Sequence, residues 1–386
     1  MVRRLPSTPR PRLFTTVVAI SKNIPTTGGW GSGLTTYDAF LQREGIPVLR
    51  GLWVENILEA PLAPWKRKGG RGAYINLDGS GVNTSYIAID AYVVEIPPGG
   101  SLNSEHYVYD EMMFVLRGRG ATTVWGPETS KQTFEWQEGS LFAIPLNVSH
   151  QLFNGDRNEP ASLVGFSFAP TMINLLHNEQ FIFNNNFAFT DRYRGEGDYF
   201  SGEGKFLAEN WLDTNFIGDV REFGACGRSS PEQADSGGEP ALLYIEMGCN
   251  TMSAHIMAFP VGTYGRAHRH EPGAHILILS GHGYSLHWLE GEEPVRIDWK
   301  PGSLFAPPDQ WFHQHFNAGP TPAKYIAFKP RSRKFRTKGK FMNNVSRKLG
   351  GTLIEYEDED LSIRALYERE CARNGVRVNM REVPSD

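Results

Sequence analysis

A chain of 386 residues is long enough for two domains of ordinary size, each able to bury its own core. Its 39 basic and 43 acidic residues leave a formal net charge of −4, which excludes a general electrostatic pull toward nucleic acid or an anionic membrane. Forty-one glycines, 25 prolines, 12% aromatic and 21% charged residues describe a turn-rich β protein. Cys226, Cys249 and Cys371 are odd in number, widely spaced and outside any C-x-x-C pair, so a reduced, cytoplasmic setting is expected. No apolar run approaches the roughly 18 residues of a membrane span.

The first 37 residues carry Arg3, Arg4, Arg10, Arg12 and Lys22 with no acid, the composition of a transit peptide. Pro6, Pro9 and Pro11 spoil the amphipathic helix such a peptide needs, and Phe14 to Ile20 reads as a strand rather than a signal segment. Thr35 and Asp38 stand at capping-box spacing and Gly45 supplies a stop, which predicts a short helix between them. From Ala73 the pattern turns to short β runs broken by Pro97-Pro98-Gly99-Gly100 and Trp125-Gly126-Pro127, as in a sandwich or barrel. A helix over residues 171–178 and a polar Asn/Phe tract open an interdomain connection, and a second β block runs from Leu242 to Lys329. A basic run from Arg331 to Lys340 leads to a helix that begins near Ser362 and stops at Asn374-Gly375. The expected division is an arm with a helix (1–72), a first β unit (73–169), a connection with short helices (170–241), a second β unit (242–335) and a helical extension (336–386).

Residues 260–317 lie on 97–154 without a gap, at a constant spacing of 163. Gly283 falls on Gly120, Trp299 on Trp136, Gly302 on Gly139, Pro308 on Pro145, His313 on His150 and Asn317 on Asn154. Glycine, proline and tryptophan fix turns and large packing volumes, so their agreement in register marks two copies of one fold.

In the second copy, His268 and His270 share a face if the segment is extended, and His313 and His315 share another. Imidazoles so gathered suit iron, zinc, copper or nickel and leave coordination positions open. The framework resembles the cupin superfamily, in particular its two-domain members. Gly262-T-Y-G-R-A-His268-R-His270-E-P-G-Ala274, with Gly281 following, matches the first cupin motif except that Ala274 holds the Glu position; Gly302-S-L-F-A-P-Pro308-D-Q-W-F-His313-Q-H-F-Asn317 matches the second. The resemblance covers about 58 residues per copy and implies an all-β protein of two tandem double-stranded β-helix (jelly-roll) domains with short flanking helices.

Loss of the Glu leaves a neutral three-histidine set, so a bound ferrous ion keeps its full charge for an anionic, chelating substrate and oxygen. H-R-H-x-x-x-A together with P-x-x-W-x-H-x-H is similar to gentisate 1,2-dioxygenase and its relatives acting on salicylate and 1-hydroxy-2-naphthoate. That resemblance implies Fe(II) as cofactor, with manganese, nickel, copper or zinc as alternatives, a small-molecule substrate and molecular oxygen as partners, and a homo-oligomer. The intact set is C-terminal here, whereas that family carries its working site in the N-terminal cupin. No motif places an arginine for a substrate carboxylate. His275 is a fourth ligand if a residue is inserted in the motif; strand parity favours Ala274 and three ligands, His268, His270 and His313. His315 serves as an outer donor, as an acid/base group or as a structural histidine, and Trp311 and Gln310 shape or hydrogen-bond the substrate. His282 and His287 read as ordinary polar residues near a turn. In the first copy Glu105, Tyr107, Glu111 and His150 occupy the ligand positions and His106 points outward; Glu105, Glu111 and His150 could together hold a metal, but the loss of two histidines favours a degenerate, structural domain. Non-oxidative decarboxylase, lyase or isomerase chemistry, and ligand binding without turnover, are the competing functions.

Overall fold

The computed structural model describes residues 34–77, 88–127, 129–223, 241–270, 273–335 and 345–380. The expected strand at Phe14 to Ile20 and most of the basic run after Arg331 lie outside them. The architecture is all-β with short helices, arranged as two barrels each made of a large and a small sheet.

In the first barrel the large sheet runs in the order Val48–Arg50, Gly70–Asn76, Asp90–Ile96, Ala161–Ser167, Glu111–Arg117, Leu141–Ile144 and Phe216–Ile217, with Ala63–Trp65 paired to Gly70–Asn76. The small sheet joins Ser149–Asn154, Arg119–Trp125 and Gln132–Gln137. The second barrel repeats the plan. Ala241–Glu246, Ser253–Phe259, Ala323–Lys329, His275–Ser280 and Leu304–Phe305 lie consecutively in its large sheet, and Val295–Trp299, Gly283–Trp288 and Phe312–Phe316 form its small one.

The contacts explain which residues recur. Gly120 and Gly283 lie under the rings of Trp136 and Trp299, where a Cβ on either glycine would overlap the indole and the carbonyl of Phe153 or Phe316. Each indole Nε1 donates at 3.0 Å to a buried hydroxyl, Thr122 or Ser285. Asn154 Nδ2 donates to the carbonyls of Ile96, Pro97 and Glu159, and Asn317 Nδ2 repeats this with Phe259, Pro260 and Thr321. One carboxamide thus ties three loop carbonyls in each barrel, which buried backbone acceptors require.

Among the described residues four α-helices flank the barrels. Helix α1 is Thr36–Glu44; Thr35 and Asp38 complete both capping bonds and Gly45 ends it at φ 70°. Helices α2 (Ala169–Leu176) and α3 (Glu179–Phe183) follow the first barrel, and α4 (Leu361–Arg373) is capped by Asp360 and ends at Asn374. No helix among the described residues is long and apolar enough to cross a membrane.

The barrels exchange edges. Trp53–Val54, from the expected arm, pairs with Leu304–Phe305 of the second barrel, while Phe216–Ile217, from the connection, pairs with Leu141–Ile144 of the first. Between the barrels a shared apolar core includes Phe166 and Phe328, stacked with ring centroids 3.7 Å apart. These two phenylalanines sit at matching places on Ala161–Ser167 and Ala323–Lys329, so the repeat packs against itself.

Candidate metal centre

Residues 265–270 form an extended loop rather than a regular strand, anchored by a bridge from His268 to His313 and another to Leu353. The backbone N–H of His268 donates to the His313 carbonyl at 3.1 Å, and that of His313 returns to the His268 carbonyl at 2.9 Å. This reciprocal pair fixes the two histidines opposite one another. The ring centroids of His268, His270 and His313 are 4.4 to 5.5 Å apart, and one ring nitrogen from each lies within 4.8 Å of the other two.

The ring nitrogens divide their tasks. His268 Nδ1 lies 3.2 Å from the Arg266 carbonyl and His313 Nδ1 lies 3.2 Å from the Trp311 carbonyl, so each Nδ1 carries the proton and leaves Nε2 with its lone pair. Burial holds His313 neutral by pushing its pKa well below the ordinary value, and the neighbouring His268, His270, His315 and His287 add to the shift. A divalent cation needs neutral imidazoles presented this way, and the three residues fit one.

The three histidines open onto a cavity inside the second barrel, with an empty volume of about 570 Å³ including its mouth. Its walls take alternate residues of successive strands: Tyr244 from one, His255, Met257 and Phe259 from the next, Tyr325 and Lys329 from a third. Ala274 and Ile276 also face it, and His275 between them does not. Among the described residues that line the cavity there is no Asp or Glu, while Arg266 and Lys329 are present.

His275 is fully buried against Phe166 of the first barrel, with ring centroids 5.9 Å apart, and burial lowers its pKa to about 3. It therefore stands apart from the three-histidine set because strand alternation turns it toward the interface. Gln310 is exposed in the turn before the strand, with φ 64°, and Trp311 is half-buried there; neither lines the cavity. Trp311 reaches the site through its carbonyl on His313, not through its indole.

His315 does line the cavity. Its Nδ1 is 2.7 Å from Ser285 Oγ, which accepts from Trp299, so a tryptophan of the repeat orients a histidine of the site. Burial, with His287 and His268 nearby, holds His315 neutral.

Two histidines escaped the sequence reading. His287 lies directly across the strand pair from His313, with no exposed surface, and neither ring nitrogen has a hydrogen-bond partner among the described residues. It is an interior residue, not a polar one of the turn, and burial lowers its pKa to about 3. His255 is 6% exposed, lines the cavity and also leaves its Nδ1 without a partner among the described residues. Its alternation with Met257 and Phe259 was the available signal.

The first barrel fills the equivalent position differently. Glu105 is paired with Lys68 and with Arg67, the latter at 2.8 Å, and Lys68 is 2% exposed. Burial alone would raise the Glu105 pKa, but the two cations hold it at about 2. Glu111 accepts from Tyr92 at 2.8 Å and from Tyr107, whose hydroxyl is 3.4 Å from His150 Nε2. An ammonium, a guanidinium and two phenols thus satisfy the carboxylates that a metal cation would otherwise bind. His106 faces Asn147, with Nδ1 3.0 Å from its Oδ1.

Residues 59–190 match the family model described as Cupin. No curated protein matches the chain. Among solved structures the chain is similar to a Trp-to-Tyr variant of oxalate decarboxylase from Bacillus subtilis, at TM-score 0.48 and 12% identity over 73% of this chain and 78% of that one. An Arg-to-Ala variant of the same enzyme superposes at TM-score 0.47 and 11% identity, with the same coverage. Residues 59–190 thus resemble a cupin domain, and the Gly–Trp and Asn contacts that recur 163 residues later show the same plan in the second barrel.

Proposed function

We propose that this protein is a mononuclear metal-dependent enzyme whose second barrel acts on a small, metal-chelating organic acid. The observation that carries the reading is the neutral set of His268, His270 and His313 opening onto a cavity with no described acidic lining residue. Where no carboxylate joins the three histidines, a divalent ion retains its charge for an anionic substrate. Once bound, such an ion supplies Lewis acidity and, if redox-active, a route for electrons between substrate and oxygen.

Tyr244, Phe259 and Tyr325 offer flat apolar surface to an aromatic ring, which supports an Fe(II)-dependent dioxygenase of the gentisate or salicylate type. In that reading His315, oriented by Ser285, is the group placed to hold or pass a proton. The same neutral His315 can accept a proton from the substrate, which favours a second reading, non-oxidative decarboxylase, lyase or isomerase chemistry on the metal.

Elemental analysis of anaerobically purified protein, followed by turnover of hydroxylated aromatic acids with labelled oxygen, tests the proposal. About one metal per chain with label in the product is expected. Full-rate turnover without oxygen would replace the dioxygenase reading by the non-oxidative one, and protein that takes up no metal would end both.

A further inference from the structure

The wall of the cavity contributed by Ser253–Phe259 and its neighbours in the large sheet carries chemistry of its own. His255 stands there between Tyr244 and Tyr325, each with its ring centroid 5.8 Å from the imidazole. Lys329 lines the same cavity, and Arg331 follows it in sequence. Both cations, together with burial, oppose a charge on His255, so the ring is neutral. A buried imidazole whose Nδ1 has no partner among the described residues costs free energy unless a ligand meets it. The cations beside it select an acceptor, and a carboxylate is the small organic group that takes hydrogen bonds from an imidazole and an ammonium together.

We propose that His255, with Lys329, is a specificity subsite for a carboxylate of the substrate separate from the atoms that chelate the metal. The substrate class is then a small acid with two recognition ends, a chelating pair for the three histidines and a remote carboxylate for this wall. The inference rests on the proposed function for the first end only.

Binding to protein loaded with redox-inert Zn(II) reads the subsite without turnover. Two matched probe pairs differ by one carboxylate: protocatechuate against catechol, and malate against lactate. In each pair where the cavity admits both members, the wild-type protein should bind the first at least about tenfold more tightly, the loss expected for a charge-assisted hydrogen bond. His255→Phe should erase that preference while leaving one zinc per chain and the affinity for catechol or lactate unchanged; His255→Gln, which keeps a donor, should restore part of it. If His255→Phe fails to fold, Lys329→Met carries the same expectation. An unchanged preference in the variants, no preference in the wild type, or no binding of any probe overturns the subsite. Absence of zinc from the wild type overturns the metal reading instead, and a carboxylate preference that survives without metal leaves the subsite standing.

Discussion

At the scale of single residues, the division of labour among the histidines makes the sharpest predictions. His268→Ala or His313→Ala should strip the metal, whereas His150→Ala should leave metal content unchanged, because His150 sits among phenols and a carboxylate already bound by Lys68. Elemental analysis of the three variants separates a one-site from a two-site protein. His275→Ala should retain metal yet lose about 2 kcal/mol or more of stability in urea titration, as a fully buried side chain leaves a cavity against Phe166. Ala274→Glu should keep metal and depress activity, since Ala274 faces the cavity and a carboxylate there competes for the ion.

The buried histidines also set a pH dependence. His150, His275 and His287 have folded pKa values lowered to about 4, 3 and 3, below the ordinary value near 6.5. The unfolded chain then binds more protons than the folded one between those limits, so their contribution is complete above about 6.5 and is lost as pH falls toward 3. Each histidine adds a slope of up to about 1.4 kcal/mol per pH unit in that window. Urea midpoints should therefore fall between pH 7 and pH 4.5, and His287→Phe should flatten the fall; a midpoint independent of pH in both proteins would contradict the burial of these rings.

Among the elements, the two copies of one strand plan have diverged at the ligand positions, where Glu105, Tyr107 and Glu111 stand for His268, His270 and Ala274. In the first barrel Lys68 is delivered by the turn between Ala63–Trp65 and Gly70–Asn76. Its ammonium lies 4.6 Å from the Tyr92 ring centroid and pairs with Glu105. Lys68→Met should cost about 3–5 kcal/mol in equilibrium unfolding, because Glu105 is left buried with half its compensation gone. Lys68→Met combined with Glu105→Gln should recover a large part of that loss. If the double variant is no more stable than the single one, the ion pair is not what holds this wall.

For the whole molecule, the exchange of edge strands and the Phe166–Phe328 stack bind the fate of the metal barrel to the other one. Phe328→Ala should lower stability by about 3–5 kcal/mol and do so in a single transition followed equally by tryptophan fluorescence and by metal release. Two separated transitions in the wild type would show that the shared core does not couple the barrels. Removing residues 1–60 should weaken metal retention although no ligand is touched, since Trp53–Val54 closes the sheet edge at Leu304–Phe305.

Duplication, strand content and the three converging histidines were legible in the sequence because they are local or periodic. A capping box at Thr35 and alternation along a strand each constrain residues within a few positions of one another, and the glycine that must clear an indole recurs at the same spacing from it in both copies. Parity and the spacing to Gly281 favoured Ala274 over His275, and the fold places Ala274 toward the cavity. What needed the tertiary structure were the groups brought together across the chain. Lys68 meets Glu105 only when a turn folds over the first barrel. His255 and Lys329 share a cavity only because strands distant in sequence are neighbours in one sheet, and Arg266 joins them from the extended loop of residues 265–270. Trp311 and Gln310 lie next to His313 in sequence and still miss the cavity, since the turn that carries them ends outside the barrel wall. Sequence proximity orders the backbone, whereas the composition of a cavity is decided by which strands the hydrogen-bonded sheet sets side by side.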